Sequence, residues 1–223
     1  MIMTHDLVRK IRVWDAPTRL FHWLTAALIV ATYVTWRANL MYWHGLAGEA
    51  VLALVVFRLL WGFLGSDTAR FSRFLAAPHE AVRHLARLLR RESDRQAGHN
   101  PAGGYMVLIL LVLLLGETLS GLYIANDVAD AGPLTVLTPA AVANAISALH
   151  WVFWDALLAA VTLHVLAIAV YAAAKGHNLL GPMITGSKRL PVSTPQPQMA
   201  SAVRAAFLFG LSALAVALLV NVV

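Results

Sequence analysis

The chain is 223 residues long, 60% hydrophobic and only 13% charged, with a mean hydropathy of +0.71, which marks an integral membrane protein. The net charge of +6 therefore bears on membrane topology rather than on nucleic-acid binding. The absence of cysteine excludes disulfides, iron–sulfur clusters, thiolate-ligated haem and covalent haem attachment through C-x-x-C-H.

The polar run Met1 to Arg19 leads into the first apolar stretch, Leu20 to Trp36, whose length and flank fit a retained signal-anchor rather than a cleaved leader. Asp15 is placed to cap this helix, and Pro17 falls in its first turn, where a missing N–H costs nothing. A second stretch runs from Trp43 to Leu64. In the connection that follows, Pro78 to Arg91 has helical periodicity, with Val82, Leu85 and Leu89 on one face and Arg83, Arg87, Arg90 and Arg91 around the rest. This reads as a helix on the inner leaflet or as an ordinary loop helix. Gly103 to Tyr123 and the over-long Ala145 to Ala174 make the third and fourth stretches, the latter tilted or projecting into solvent. Pro191 to Pro197 is a Pro/Ser/Thr/Gln linker to the fifth, Ala202 to Val220. That stretch carries no histidine and reads as a packing or partner-contacting helix. All five are long enough to span a bilayer.

Basic residues set the orientation. Arg9, Lys10, Arg12 and Arg19 precede the first stretch, and seven arginines from Arg70 to Arg95 fill the second connection. Lys175, Lys188, Arg189 and Arg204 surround the fourth. The first connection carries only Arg37, and the third carries Asp127 and Asp130. The positive-inside rule puts the N-terminus in the cytoplasm and the C-terminus outside.

Four histidines lie within these stretches: His22, His44, His150 and His164. An imidazole in hydrocarbon is costly unless it is ligated or hydrogen-bonded. His150 and His164 share a helix, about 21 Å apart along the axis and only about 40° from the same azimuth. With the orientation above, His22 and His164 are inner, and His44 and His150 are outer. Only pairing by depth brings ligands together, since crossed pairs would stand roughly 20 Å apart. Two neutral imidazoles on one iron leave no open position, which suits electron transfer. The expected cofactors are thus two non-covalent haem b groups in an all-α membrane protein, a four-helix haem-binding bundle plus a fifth C-terminal helix.

The segments VWDAPTRLFHW (Val13 to Trp23), YWHGLAGE (Tyr42 to Glu49), FRLLWGFLG (Phe57 to Gly65), GHNPAGGYM (Gly98 to Met106), GPL (Gly132 to Leu134) and LHVLAI (Leu163 to Ile168) resemble the bacterial cytochrome b561/nickel-hydrogenase b-type cytochrome family. The similarity covers about Val13 to Arg189. It implies a four-helix di-haem cytochrome b over residues 1–190, followed here by a linker (191–200) and an additional helix (201–223). It also implies a bacterial inner-membrane protein exchanging electrons between quinone or quinol and a periplasmic c-type cytochrome or other redox subunit. The family's axial positions fall on the same four histidines. The fifth helix and Glu117 depart from the family pattern.

Other residues carry paired readings. Arg58, fourteen residues below His44, reaches the inner depth and pairs with haem propionates or a quinone head group, or else snorkels to the headgroups. Arg19 has the same readings or is a topological charge. Gly48, one turn after His44, admits a flat macrocycle or permits close helix packing. Glu117 is a proton relay, or is neutral or paired. Glu49 and Asp155 cap, hydrogen-bond or contact a partner. His99 is a loop histidine or lies near a quinone site. His5, His79, His84 and His177 are solvated or interfacial, and Trp14, Trp36 and Trp43 are interfacial anchors. Two alternatives remain. One is an enzyme oxidising superoxide at the outer face, disfavoured by the lack of a cationic funnel there. The other is a haem-free metal transporter or assembly subunit, disfavoured by spans uninterrupted by proline.

Overall fold

The computed structural model describes residues 7–87, 96–124 and 131–221. Its frame is two antiparallel helix hairpins. Helix α1 (Ala16–Arg37) turns into α2 (Met41–Leu64), and α5 (Pro101–Gly121) runs against α6 (Ala140–Val170). The first turn contains Asn39 at φ 57°, a left-handed conformation that asparagine tolerates better than most residues. At the other end of this hairpin, Asp15 Oδ1 accepts from the Thr18 backbone N–H at 2.7 Å, and Oδ2 accepts from the fully buried Trp61 indole at 3.1 Å. One carboxylate therefore starts α1 and ties it to the end of α2.

Helix α2 is the hub. It packs on α1, on α5 and on α8 (Ala202–Val220), so Val51 to Val55 are buried on every side of the helix. Helix α8 turns Ala205, Leu208, Ser212 and Val216 inward, a spacing of three and four residues that makes one face. Its Val203, Phe207, Leu211, Leu214 and Leu218 point outward. The linker before α8 is fastened to the end of α2. Asp67 N–H donates to the Gln198 carbonyl, Gln198 N–H to Asp67 Oδ2 and Ala200 N–H to Ser66 Oγ, while Arg204 reaches the Leu64 carbonyl.

Among the described residues, four helices are long and apolar enough to cross a membrane: α2, α5, α8 and α6 with its continuation to Lys175. Helix α1 matches them in length but is less apolar, because Arg19 and His22 lie in its first two turns. Helix α6 passes into a π-turn, Tyr171–Lys175, that ends on Gly176 at φ 70°. The whole is about 54 Å long, well beyond a hydrocarbon core of about 30 Å, so the over-length of the fourth stretch is observed.

An all-α description omits one element. Strand β1 (Val8–Arg12) pairs antiparallel with β2 (Ser187–Pro191), Val8 facing Pro191 and Arg12 facing Ser187. Ile11, Val13, Trp14 and Leu190 bury a small cluster beneath this sheet. Three short helices complete the same end: α3 (Phe71–Phe74), α4 (Pro78–Ala86) and α7 (Leu180–Thr185). Helix α4 packs on α5 and leaves Val82 and Leu85 exposed, as a helix resting on a leaflet would. Its expected extension to Arg91, with Leu89 and Arg90, and also Arg95, Asp127, Asp130 and His5, lies outside the described residues.

Asp15→Asn keeps a capping side chain but removes a charge near buried Arg58, whereas Asp15→Ala removes both. The expected losses of stability are about 1–3 kcal/mol for the asparagine and about 1 kcal/mol more for the alanine. Thermal unfolding of the detergent-solubilised protein measures the difference; equal losses would mean that the cap contributes nothing.

Candidate functional site

Helices α1 and α6 approach each other through side chains in antiparallel register. Tyr33 stacks on Trp154 with ring centres 5.8 Å apart, Trp36 meets Trp151 at 5.5 Å, and His22 faces His164 at 6.4 Å. Two imidazoles on one metal, each bonded at about 2.0–2.1 Å with its ring centre about 1.1 Å further back, place their centres about 6.3 Å apart. The separation of His22 and His164 matches that value. Both rings are partly buried, and His22 Nδ1 is a buried atom without a hydrogen-bond partner.

At the other end of the bundle, His44 and His150 lie within electrostatic range of each other. His44 Nδ1 is 2.9 Å from the Thr32 carbonyl of α1. His150 Nδ1 is 2.9 Å from the Glu117 carbonyl and 3.1 Å from Ser120 Oγ, both on α5. A ring anchored at Nδ1 on a carbonyl presents Nε2 as the free lone pair, the usual second contact of a metal-ligating histidine. Gly121 lets α5 come this close, since a Cβ there would lie 3.2 Å from His150 Cε1. His150 Nε2 faces Glu117 Oε1 at 3.2 Å, so ligation at that nitrogen requires the carboxylate to turn aside. Glu117 Oε2 is buried without a partner.

Between α2 and the end carrying β1, polar atoms gather without partners. Arg58 is 2% exposed, its guanidinium carbon 5.4 Å above the Phe71 ring and its Nη1 unbonded. It does not reach a headgroup, which sets aside snorkelling. Thr18 Oγ1, Thr25 Oγ1, Thr68 Oγ1 and His99 Nδ1 are likewise buried and unpaired. Such groups cost free energy unless a polar ligand meets them, and the propionates of a haem beside His22 and His164 are of the right chemistry. Arg19 donates to the Ile184 carbonyl of α7, and its Nε lacks a partner. A Cβ on Gly48 would meet nothing within 4 Å, so close packing does not explain that glycine, and a flat ligand has room there. Donors, orphaned atoms and ring spacing all fit b-type haem.

Several expectations change. His99 lies in the loop before α5, as a loop histidine should, but it is partly buried between Trp14, with ring centres 4.6 Å apart, and Phe74, at 4.8 Å, and its Nδ1 is enclosed. Trp14 is 8% exposed, part of the cluster beneath the sheet rather than an interfacial anchor. His84 is half-buried and bonds Tyr171, Asp155 is exposed, and Glu49 is partly buried. Sequence reading missed Thr32 and Ser120, which touch the rings; only their helical spacing from the chemistry-bearing residues could have flagged them. A cavity of about 330 Å³ between α1 and α2 is lined by Leu28, Ala31, Thr35, Trp43, Leu46, Ala47 and Ala50. Among the described residues no three His, Asp or Glu side chains gather as a metal-ion cluster; the histidines meet in twos.

The family model described as prokaryotic cytochrome b561 matches residues 13–186. No curated protein and no solved structure matches the chain.

Burial above all, then the charges of Arg58, His164 and His22, push the His99 imidazole down to about 3. The unfolded chain takes up this proton near pH 6.5 and the folded one does not. His99 therefore contributes nothing above about pH 6.5, and below it stability falls by up to about 1.4 kcal/mol per pH unit until about pH 3. His99→Phe is expected to flatten the fall of Tm between pH 6.5 and about 5; an unchanged slope would assign the acid sensitivity to other groups.

Proposed function

The chain belongs to the prokaryotic cytochrome b561 family, whose members are membrane proteins that transfer electrons through b-type haem, and we propose that it carries electrons through two haem b groups between the quinone pool and a redox partner on the periplasmic side. His22 and His164 hold the inner haem, and His44 and His150 the outer one. The observation that carries this reading is the 6.4 Å separation of the His22 and His164 rings. When bound, each haem would supply a reversible one-electron centre.

The chain's own residues then do the following work. The Thr32 and Glu117 carbonyls orient the outer rings through Nδ1. Arg58, a buried cation with an unbonded nitrogen, and Arg19 offer charge to propionates or to a quinone head group. Gly48 leaves the α2 backbone open to a macrocycle. In this reading α1 also crosses the bilayer, as the hairpin partner of α2. Residues 1–190 then form a four-helix haem domain, 191–200 a linker and 201–223 a fifth spanning helix that shields α2. Arg9, Lys10, Arg12, Arg70, Arg73, Arg83, Arg87, Lys188, Arg189 and Arg204 belong to one end and Arg37 to the other, which supports a cytoplasmic N-terminus in the bacterial inner membrane. The partner is a periplasmic c-type cytochrome or another redox subunit.

Haem counting tests the scheme. The purified protein is expected to hold two low-spin b haems per chain. His44→Ala and His150→Ala are each expected to lose the same haem, identified by its midpoint potential, and His22→Ala and His164→Ala the other. A single haem in the unaltered protein, or His44 and His150 variants that lose different haems, would overturn the pairing.

A further inference from the structure

At the end of the bundle carrying His22 and His164, a hydrogen-bonded group belongs neither to the ligand set nor to the sheet. Tyr171 is 6% exposed, and its hydroxyl lies 2.6 Å from His84 Nε2 on α4, with the two rings stacked at 13° and 6.1 Å. The Asn100 side chain lies beside the same hydroxyl. Asn100 Oδ1 accepts from the Gly103 N–H at 2.7 Å, and its amide NH₂ remains to donate to the phenol oxygen. Tyr171 stands seven residues after His164 on α6, about 10.5 Å further along and about 20° from its azimuth. Asn100 adjoins His99, which is within electrostatic range of His22, His164 and Arg58. The α-helix gives way to a π-turn at Tyr171, a distortion frequent at functional positions.

We propose that Tyr171 and His84 form a proton relay joining the cytoplasmic surface at α4 to a quinone bound beside the inner histidine pair. The inference rests on the quinone reading of the function. A quinone taking two electrons, one at a time from the inner haem, must also take two protons. For each proton the Tyr171 O–H bond breaks as a quinone O–H bond forms, and the phenol is restored by the proton on His84 Nε2. His84 is half-buried and recovers its proton from water at the surface. Quinol oxidation runs the same transfers backward. Asn100 holds the phenol oxygen in place and is a positioning residue. The charged and titratable groups on the described surrounding elements include His79, Glu80 and Arg83 on α4, Arg87 just after it, Tyr105 on α5, and Lys175 and His177 beyond Tyr171. Tyr105 is committed to the Ala76 carbonyl, which leaves Tyr171 as the phenol in contact with a histidine on α4.

The experiment uses the purified, haem-loaded full chain, with duroquinol as donor and haem absorbance as readout. Tyr171→Phe is expected to slow haem reduction by about 10- to 100-fold while haem content, midpoint potentials and Tm stay unchanged. The solvent deuterium isotope effect is expected to change with it. His84→Ala is expected to be slowed similarly and rescued by added imidazole. Infrared difference spectra on quinone reduction are expected to carry a tyrosine ring band that Tyr171→Phe lacks. If the unaltered protein does not exchange electrons with duroquinol, the quinone reading falls and the relay with it. If it does, and Tyr171→Phe keeps the unaltered rate or lacks no infrared band, the relay alone falls. Slowing that accompanies haem loss and is not rescued in His84→Ala would make the pair a structural tether and overturn the relay.

Discussion

An imidazole inside a bilayer must satisfy two nitrogens, and the way this chain does so organises everything else. For His44 and His150 one nitrogen is held by a carbonyl on the neighbouring helix, at 2.9 Å in each case. That bond fixes the ring plane and leaves Nε2 as the second nitrogen, which in His150 meets the Glu117 carboxyl at 3.2 Å. The carbonyls come from the hairpin partner, α1 for His44 and α5 for His150, so hairpin formation and ring orientation are one event. A bundle assembled from unpaired helices would have no such control. Under the proposed haem ligation this matters because the spacing between opposed rings, and not the fold in general, decides whether an iron can be gripped from both sides.

The end carrying His22 and His164 adds a second constraint, the burial of charge. Arg58 is almost wholly enclosed, and Asp15 is the anion whose influence reaches it. Asp15 also caps α1 and binds Trp61. Helix start, interhelical contact and counter-charge thus converge on one carboxylate, leaving no slack between folding and electrostatics. Beside it, Trp14 and Phe74 press His99 into a neutral state, which keeps a further positive charge from the neighbourhood of the His22–His164 pair.

Much of this was legible in the chain because the signals were local. Ala202 to Val220 is read from hydropathy and is the observed α8, and Asp15 with Pro17 marks the start of α1. The histidines declared themselves by chemistry, since few residues are so costly in lipid. What escaped was non-local. Strand β1 is hidden because Arg9, Lys10 and Arg12 surround Ile11, so its alternation looks like a basic leader until β2 arrives from the far end of the chain. Trp14 and His99 are each unremarkable in sequence, and their burial exists only once the sheet, α3 and the start of α5 meet. Glu117 stood out as a carboxyl in an apolar helix, but its contact with His150 depends on the register of the second hairpin.

The length of α6 has an effect on how another molecule can dock. The helix continues for ten residues, about 15 Å, past His150 toward its own beginning at Ala140, whereas α1 stops at Arg37 and α2 starts at Met41, close to His44. The mouth of the molecule is therefore lopsided, with a parapet along one flank and a low sill along the other. Under the proposed function, and judged from the described residues alone, a visiting protein that brought its own redox group near His44 would come in over the sill. Its footprint would then fall on the α1–α2 turn, and the parapet would dictate the angle of approach.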